Sequence, residues 1–435
     1  MSTVILGAGV TGLAAAVASG APVFEATEDP GGICSSYYVR PSESRRLRER
    51  PADRRAYRFE IGGGHWIFGG APTVLRYIES MTPLRRYERR SSVYLPDSRR
   101  YVPYPLQNHL RSLGPDVAAR ALAEMAQPAR PVSTMREWLE QSFGRTLGEL
   151  FFEPFHALYT AGLHDRIAPQ DAYKSPVNLT LAAQGALQDT PPVGYNAGFA
   201  YPADGLGTLC RRLADLSQVR YGKRAVRIDL PGHAVHFADG SAERYTTLLS
   251  TLPLNHVVAM SGLRLDASPD PFTSVLVLNV GARRGPACPD DHWIYVPSSR
   301  AGFHRIGFYD NVDADFVPPP DQGARRVSIY VERAFVGTLD GSARPSDEAM
   351  RRYGDAVLRE LEDWGFIGDA EVVDPTWIDV AYTWSWPGSR WVAEATAALA
   401  KHDVHSVGRY GRWVFQGIAE SLGEGFSAGV ALARV

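Results

Sequence analysis

The order of apolar and polar positions predicts alternating strands and helices at the start of the chain. Residues Thr3–Leu6 are apolar and have the pattern of a short buried strand. Small residues continue to Gly20, which favours a tightly packed helix, and a second apolar pair leads to Glu25. This succession predicts a β-α-β unit at the beginning of the chain.

A polar, arginine-rich segment separates the next two apolar stretches. Residues 40–58 hold eight arginines among Pro, Ser, Glu and Asp, and the alternating residues 57–61 follow. This pattern predicts a hairpin with a solvated tip, and a basic patch that binds phosphate is the alternative. Residues 106–185 show the spacing of amphipathic helices.

Strand and helix patterns are interleaved in the second half of the chain. Residues 198–257 have the pattern of a second β-α-β unit with a hairpin, and residues 273–335 alternate with a period of two. Residues 347–364 predict a helix, and the chain ends with a strand near 404–410 and a helix of small residues. We therefore expect distant segments to complete the unit at the start of the chain.

Composition limits the classes of protein that fit this pattern. A chain of 435 residues is long enough for two or three domains, and its 45% hydrophobic and 22% charged residues are typical of a globular protein. A formal net charge of −2 creates no overall field that would attract nucleic acid. Three cysteines without metal-type spacing favour reduced thiols in a cytoplasmic protein.

Two observations argue against export and membrane insertion. The first 24 residues carry no charged side chain, but they lack a basic start, so we interpret them as a folded β-α unit rather than a leader. No other stretch of about 20 residues is apolar, so we expect no transmembrane helix.

The segment GAGVTG at residues 7–12 is the G-x-G-x-x-G fingerprint of a dinucleotide site. Gly7 permits a tight turn, Gly9 lets backbone approach a pyrophosphate, and Gly12 lets the helix pack on the strand. Glu25, 18 residues after Gly7, stands where an acid binds a ribose hydroxyl. A glycine-rich packing site without a ligand is the alternative interpretation.

Other catalytic patterns are weak in this sequence. His402 and His405 flank Asp403, but the spacing supplies no third ligand, so we predict no metal site. The chain has no G-x-S-x-G segment to support a hydrolase triad. Trp384 and Trp386 either line a sugar site or pack in a core.

Six further segments occur in an order that resembles one flavoprotein family. They are GGGHWIF (62–68), VPYPLQN (102–108), NAGFAYP (196–202), WIY (293–295), FHR (303–305) and GRYGRW (408–413). Together they resemble motifs of the UDP-galactopyranose mutase family, closest to its eukaryotic-type branch. That family lies within the flavoprotein group that includes amine oxidases and protoporphyrinogen oxidase.

The resemblance implies an α/β fold with three parts. A Rossmann-type FAD-binding domain is assembled from discontinuous segments, with a helical insertion domain and an antiparallel β-sheet domain that binds substrate. The expected boundaries are 1–75, 195–260 and 400–435 for the FAD-binding domain, 106–194 for the mostly helical domain, and 76–105 and 261–399 for the antiparallel-sheet domain.

The resemblance also implies the residues of the site. The expected cofactor-binding residues are Gly7, Gly9, Gly12, Glu25, Gly31, Gly32, Gly64, His65 and Arg409. The expected substrate-binding residues are Tyr104, Gln107, Lys174, Asn196, Trp293, Tyr295 and Arg305. Four of these residues are implied to be catalytic, namely His65, Arg305, Tyr104 and Asn196. For any one tyrosine, packing in a core or strand is the alternative.

The chain departs from the family pattern at positions that grip the substrate diphosphate. Phe415 stands where the family has a tyrosine, and Lys174 stands near the family's second diphosphate arginine. Lysine is a point charge without the two-pronged geometry of arginine. Residues 417–423 replace an N-Q-D segment, and Val312 replaces a further tyrosine.

The resemblance implies a flavin-dependent mutase that interconverts pyranose and furanose forms of a nucleotide sugar. The reduced flavin N5 is then the nucleophile at the anomeric carbon, and NAD(P)H is the expected reductant. The departures motivate a second hypothesis, an FAD-dependent oxidase or desaturase of the amine-oxidase group that acts on a secondary metabolite. A non-catalytic flavin-binding protein is a third interpretation. The expected partner is a nucleotide sugar, without nucleic acid or membrane, and homo-oligomerisation stays open.

Overall fold

The computed structural model describes residues 2–170, 175–320 and 325–433. The strands are β1 (Thr3–Leu6), β2 (Val23–Phe24), β3 (Ser36–Val39), β4 (Tyr57–Glu60), β5 (Leu84–Glu88), β6 (Ser91–Leu95), β7 (Arg100–Pro103), β8 (Gly198–Pro202), β9 (Val219–Arg220), β10 (Ala225–Asp229), β11 (Ala234–Phe237), β12 (Ala242–Arg244), β13 (Thr247–Ser250), β14 (Phe272–Arg284), β15 (Trp293–Tyr295), β16 (Arg305–Phe308), β17 (Arg326–Val336), β18 (Ile367–Thr383) and β19 (Val404–Ser406). The α-helices are α1 (Val10–Ser19), α2 (Pro72–Met81), α3 (Pro115–Met125), α4 (Met135–Leu147), α5 (Glu153–Tyr159), α6 (Leu179–Leu187), α7 (Leu206–Asp215), α8 (Leu254–Ser261), α9 (Asp347–Asp363), α10 (Trp391–Ala400), α11 (Gly408–Gly411) and α12 (Ile418–Ala433).

A five-stranded parallel sheet contains the predicted first strand. Its order is β19-β13-β1-β2-β9, so β1 lies at the centre, between the next strand of the chain, β2, and β13, which is far away in sequence. All of its strand pairs are parallel. This arrangement, together with the antiparallel strand pairs described below, confirms the predicted α/β fold class.

Small residues allow α1 to pack closely against the last helix, α12. The helix ends at Gly20, which adopts a left-handed φ of 71° and donates its N–H to Ala16 O. A Cβ added to Gly425 of α12 would lie 2.2 Å from Thr11 O, and one added to Gly429 would lie 2.4 Å from Ala15 O. The small-residue pattern at both ends of the chain therefore reflects one helix–helix contact.

A seven-stranded sheet forms the second layer, in the order β18-β14-β17-β16-β15-β6-β7. Its neighbours are antiparallel except for the parallel pair β15 and β6. Helix α9 shares a buried cluster with this sheet, in which Val357 and Leu361 join Leu276 and Leu278. The predicted helix at 347–364 and the strands at 273–335 are thus confirmed.

Helices α3 to α6 form a third buried cluster, which includes Leu139, Phe143 and Phe152. Helix α4 begins with a reciprocal cap, because Thr134 accepts from the Glu137 N–H and the Glu137 carboxylate accepts from the Thr134 N–H. The expectation of a mainly helical segment after residue 106 is confirmed.

Residues 198–257 differ from the prediction in their first strand. Strand β8 pairs antiparallel with β5, and the following helix leads to β9, which joins the parallel sheet. The interpretation of this segment as a second β-α-β unit is therefore wrong for β8. Its partner strand, β5, lies at residues 84–88, far earlier in the chain, so the local pattern of apolar residues does not predict the pairing.

The arginine-rich segment is a hairpin loop, as predicted, between the antiparallel strands β3 and β4. Its side chains form ion pairs with acids, such as Arg46 with Asp374 at 2.8 Å and Arg50 with Asp315 at 3.0 Å. These pairs neutralise much of the charge that a phosphate patch would need. Within the described ranges, no helix is both long and apolar enough to span a membrane.

Candidate active site

The glycine loop at residues 7–12 connects the central strand β1 to α1. Gly7 has a φ of 92°, a left-handed value that favours glycine. A Cβ on Gly12 would lie 1.9 Å from Gly7 O, so a larger residue would separate the helix from the turn. A Cβ on Gly9 would meet no atom within 4 Å. Open space therefore faces the residue where the fingerprint predicts a pyrophosphate.

Glu25 lies at the end of β2 with its side chain beside this loop. Its Oε2 accepts a hydrogen bond from Ala8 N at 2.8 Å, and its Oε1 accepts from Thr27 N at 2.9 Å and from the Thr27 hydroxyl. A carboxylate oxygen has two acceptor positions, so Oε2 keeps one for a ribose hydroxyl.

Gly31 and Gly32 lie directly against the first glycine loop. Gly31 forms a parallel bridge with Gly9, and its N–H donates to Ala8 O at 2.7 Å. Both residues have positive φ values, 106° and 56°. The two glycine segments predicted to bind the cofactor are thus adjacent in space.

The loop at residues 62–68 places His65 in the lining of a cleft. The His65 N–H donates to Gly63 O at 2.8 Å, while its side-chain Nδ1 is buried without a hydrogen-bond partner. Burial, reinforced by the positive charge of Arg409, lowers the pKa of His65 to about 4. The imidazole is therefore neutral at pH 7, and its Nδ1 can form one hydrogen bond with a bound group.

The cleft has about 1390 Å³ of empty space, counting the part open to solvent. It brings together seven of the predicted site residues, namely Gly64, His65, Tyr104, Asn196, Tyr295, Arg305 and Arg409. They come from loops, from the strands β15 and β16 and from α11, which are far apart in sequence. Tyr104 and Tyr295 are in contact, with ring centroids 4.6 Å apart.

Two predicted substrate residues do not line this cleft, and a third cannot be placed against it. Gln107 is buried, with its Nε2 donating to Pro176 O at 2.8 Å. Trp293 is also buried and packs against Phe68 and Phe199 in the core. Lys174 lies outside the residues that the structure describes.

Arg305 faces Glu332 on the neighbouring strand β17. Its Nε and Nη2 donate to the Glu332 carboxylate at 3.0 Å and 2.6 Å. Although burial opposes ionisation, Arg305 lowers the pKa of Glu332 to about 2, and the pair is charged at pH 7. His304 lies next to the pair, 3.6 Å from Glu332, and burial lowers its pKa. Most of the Arg305 guanidinium therefore binds an internal carboxylate.

The sequence prediction missed Glu332 and, except for Trp384, the aromatic wall of the cleft. Tyr159 and Trp384 are 5.4 Å apart by ring centroids, and both line the cleft beside Tyr382 and Phe155. One signal for Glu332 is present in the sequence, because this acid interrupts the apolar strand β17. Trp384 thus lines the cleft and also packs in the core, whereas Trp386 donates its Nε1–H to Pro269 O.

The residues that depart from the family pattern fall in two environments. Phe415 lines the cleft, where its ring packs 4.6 Å from the Arg409 guanidinium. Val312 is buried in the core outside the cleft. Among residues 2–170, 175–320 and 325–433, no group of three His, Cys, Asp or Glu side chains could hold a metal ion.

A comparison with protein families identifies the group to which this arrangement belongs. Residues 21–412 match the model of the flavin containing amine oxidoreductases. The chain belongs to this family. No curated protein is detectably similar to it in sequence.

Solved structures of other flavoproteins share the overall fold of this family member. Reduced UDP-galactopyranose mutase superposes with a TM-score of 0.80 and 21% identity, over 98% of this chain and 94% of that one. A candidate protoporphyrinogen oxidase from Exiguobacterium sp. 255-15 gives a TM-score of 0.69 and 16% identity, over 100% and 98%. Putrescine oxidase bound to putrescine gives 0.58 and 17%, over 100% and 99%. At these low identities, the TM-scores show a common fold.

The residues of the site fit the FAD of a flavin-containing family. The open space at Gly9, the free acceptor position on Glu25 and the positive φ values at Gly31 and Gly32 suit a dinucleotide. The unpartnered Nδ1 of His65 at the cleft suits a polar ring edge. FAD is therefore the cofactor that the family and these residues indicate.

Glu60, which precedes the histidine loop, makes stability depend on pH. It is buried, accepts hydrogen bonds from Tyr201 OH and from Ser36 Oγ at 2.9 Å, and burial raises its pKa to about 7. A raised pKa stabilises the fold below the ordinary value near 4.5, and this stabilisation is lost as pH rises through 7.

We expect Glu60→Gln, which stays neutral, to flatten this pH dependence between pH 5 and 8. At pH 8 the variant should gain up to about 3 kcal/mol in free energy of unfolding relative to wild type, since one pKa unit is about 1.4 kcal/mol. Urea denaturation across this pH range measures the difference. Parallel profiles for the two proteins would show that Glu60 does not titrate there.

Proposed function

We propose that the protein interconverts pyranose and furanose forms of a nucleoside-diphosphate sugar, as a flavin-dependent mutase. The charge of the cleft carries the proposal. Glu332 is the one acid among the described lining residues, Arg305 neutralises it, and Arg409 adds positive charge. Such a cleft favours an anionic substrate over the cation that an amine oxidase takes. The fold shared with UDP-galactopyranose mutase supports the same choice.

Each cleft residue has a role in this proposal. Arg305 keeps Nη1 for a phosphate oxygen, because Glu332 takes Nε and Nη2. Tyr104, Tyr295 and Asn196 would orient the sugar and phosphates by hydrogen bonds, and neutral His65 would hydrogen-bond to the bound flavin. A reduced flavin supplies a nucleophilic N5 for the anomeric carbon, with NAD(P)H as the proposed reductant.

The chemistry predicts that activity depends on the redox state of the flavin. Holoenzyme reduced with dithionite should convert a UDP-hexopyranose to its furanose form, and oxidised holoenzyme should not. Chromatography of the nucleotide sugars under anaerobic conditions measures the conversion, with flavin absorbance as the check on redox state. Equal conversion by oxidised enzyme, or no binding of UDP-sugar at all, would contradict the proposal.

The aromatic wall favours a second candidate, an FAD-dependent oxidase or desaturase of a secondary metabolite. Phe155, Tyr159 and Trp384 offer apolar contact area, and Phe415 removes a hydroxyl that the family pattern places at the diphosphate. Oxidase activity would release hydrogen peroxide in air. A peroxide assay on the oxidised holoenzyme therefore separates the two candidates.

A further inference from the structure

Arg89 is a buried cation close to the cleft, and it has no acidic partner among the described residues. Its residue exposure is 3%, and its Nε has no hydrogen-bond partner. Nη2 donates to Tyr104 O at 2.7 Å, and Nη1 donates to the Asn196 side-chain oxygen. Buried arginines are ordinarily paired with a carboxylate, so this charge is unusual.

The contact with Arg89 fixes the orientation of the Asn196 amide. Because Asn196 Oδ1 accepts from the guanidinium, the amide NH₂ group is the end directed away from Arg89. Asn196 lines the cleft. The cleft therefore receives a hydrogen-bond donor at this position, which suits a phosphate or sugar oxygen.

Arg89 also interacts electrostatically with tyrosines that line the cleft. Its guanidinium lies 5.2 Å from the centroid of the Tyr104 ring. Burial lowers the pKa of Arg89, and the phenols of Tyr295, Tyr104 and Tyr195, all lining the cleft, oppose this effect. Arg305 differs from Arg89 because Glu332 cancels its charge. An uncompensated buried charge is weakly screened and attracts an anion strongly.

We propose that Arg89 is the positioning residue for the anionic part of the substrate. It directs the Asn196 NH₂ into the cleft. It also supplies a positive charge to the cleft that no carboxylate in the described part of the chain neutralises, whereas Glu332 neutralises the charge of Arg305. This inference rests on the proposed function in taking the substrate to be a phosphate-bearing anion. It adds to Arg305, which lines the cleft, a second cation that acts on the anion from behind the cleft wall.

Binding of inorganic pyrophosphate to the oxidised holoenzyme tests the inference without any sugar. Perturbation of the flavin absorbance reports binding. Arg89→Met should weaken the affinity about 10- to 100-fold, because it removes both the charge and the grip on Asn196. Arg89→Lys keeps the charge and should recover most of that loss. Arg90→Met, the same change at the exposed neighbour, should bind as wild type does.

The outcomes separate a charge effect from a structural one. If Arg89→Met loses its flavin, the variant Asn196→Asp replaces it in the test. Its carboxylate would neutralise the charge of Arg89 while Arg89 stays in place. In a folded protein, this change should weaken pyrophosphate binding at least tenfold. Wild-type affinity in Arg89→Met or Asn196→Asp would overturn the inference. So would a wild-type holoenzyme that binds no pyrophosphate, or a lysine variant as weak as the methionine variant. Failure of the mutase proposal is seen separately, as absent sugar conversion with pyrophosphate binding intact.

Discussion

Replacing Arg305 with methionine is expected to lower the free energy of unfolding by about 3–5 kcal/mol at pH 7. The substitution leaves the Glu332 carboxylate, whose residue is 2% exposed, without the cation that holds it ionised. An unpaired buried charge is costly, whereas an apolar replacement of both partners is tolerated. Urea denaturation of the holoenzyme measures the loss. The double variant Arg305→Met with Glu332→Gln should recover most of it.

The effect of acid on the free energy of unfolding should have opposite signs in wild type and in Arg305→Met. In wild type the pKa of Glu332 is lowered to about 2 from 4.5, so its stabilisation is present above pH 4.5 and lost as pH falls through 2. In Arg305→Met, burial alone raises the pKa of Glu332, and protonation in mild acid should then restore stability. A single variant as stable as the double variant at pH 7, with an unchanged pH profile, would contradict this account.

Stability and ligand binding can be separated by comparing Arg305→Ala with the double variant. In the mutase proposal Arg305→Ala weakens nucleotide-sugar binding by roughly 2–4 kcal/mol. The double variant has lost the guanidinium too, so it should regain stability without regaining affinity. If it regains both, Arg305 acts only through Glu332.

The first strand and the first helix could be predicted because glycines close to them in sequence set where each begins and ends. Strand Thr3–Leu6 and the helix that ends at Gly20 follow from the turn at Gly7 and the left-handed residue at Gly20. Pairing between distant strands could not be predicted in the same way. The apolar pattern of β8 is equally compatible with a parallel or an antiparallel neighbour, and only the folded chain brings β5 beside it.

In the candidate site, too, residues within sequence motifs could be predicted, whereas contacts that depend on strand register could not. His65 and Asn196 stand in motifs, and the cleft contains both. The contact of Arg305 with Glu332 depends on the pairing of β16 with β17, in which these two residues are direct partners. Arg89 and Arg90 are indistinguishable in sequence, yet one is buried and the other exposed. The structure is therefore needed to decide which charged side chains face the cleft, and only then can the charge of the substrate be inferred.

Gly12→Ala is expected to prevent formation of a flavin-loaded fold. The new Cβ would lie 1.9 Å from Gly7 O, a backbone atom that can move only if α1 shifts away from β1. Since α1 also packs closely against α12, the shift would disturb a second interface. We expect little soluble protein and no yellow colour on purification, as measured by expression yield and absorbance near 450 nm.

Gly9→Ala, a substitution in the same glycine loop, should give a folded protein that binds FAD poorly. Gly9 has a φ of −70°, which alanine adopts easily, and its Cβ would touch no protein atom within 4 Å. The methyl group instead enters the space where the backbone approaches a pyrophosphate. We expect a wild-type far-ultraviolet circular dichroism spectrum with FAD affinity reduced at least tenfold in reconstitution titrations. Unchanged FAD affinity in this variant would mean that the dinucleotide lies elsewhere, and the empty space at Gly9 would need another occupant.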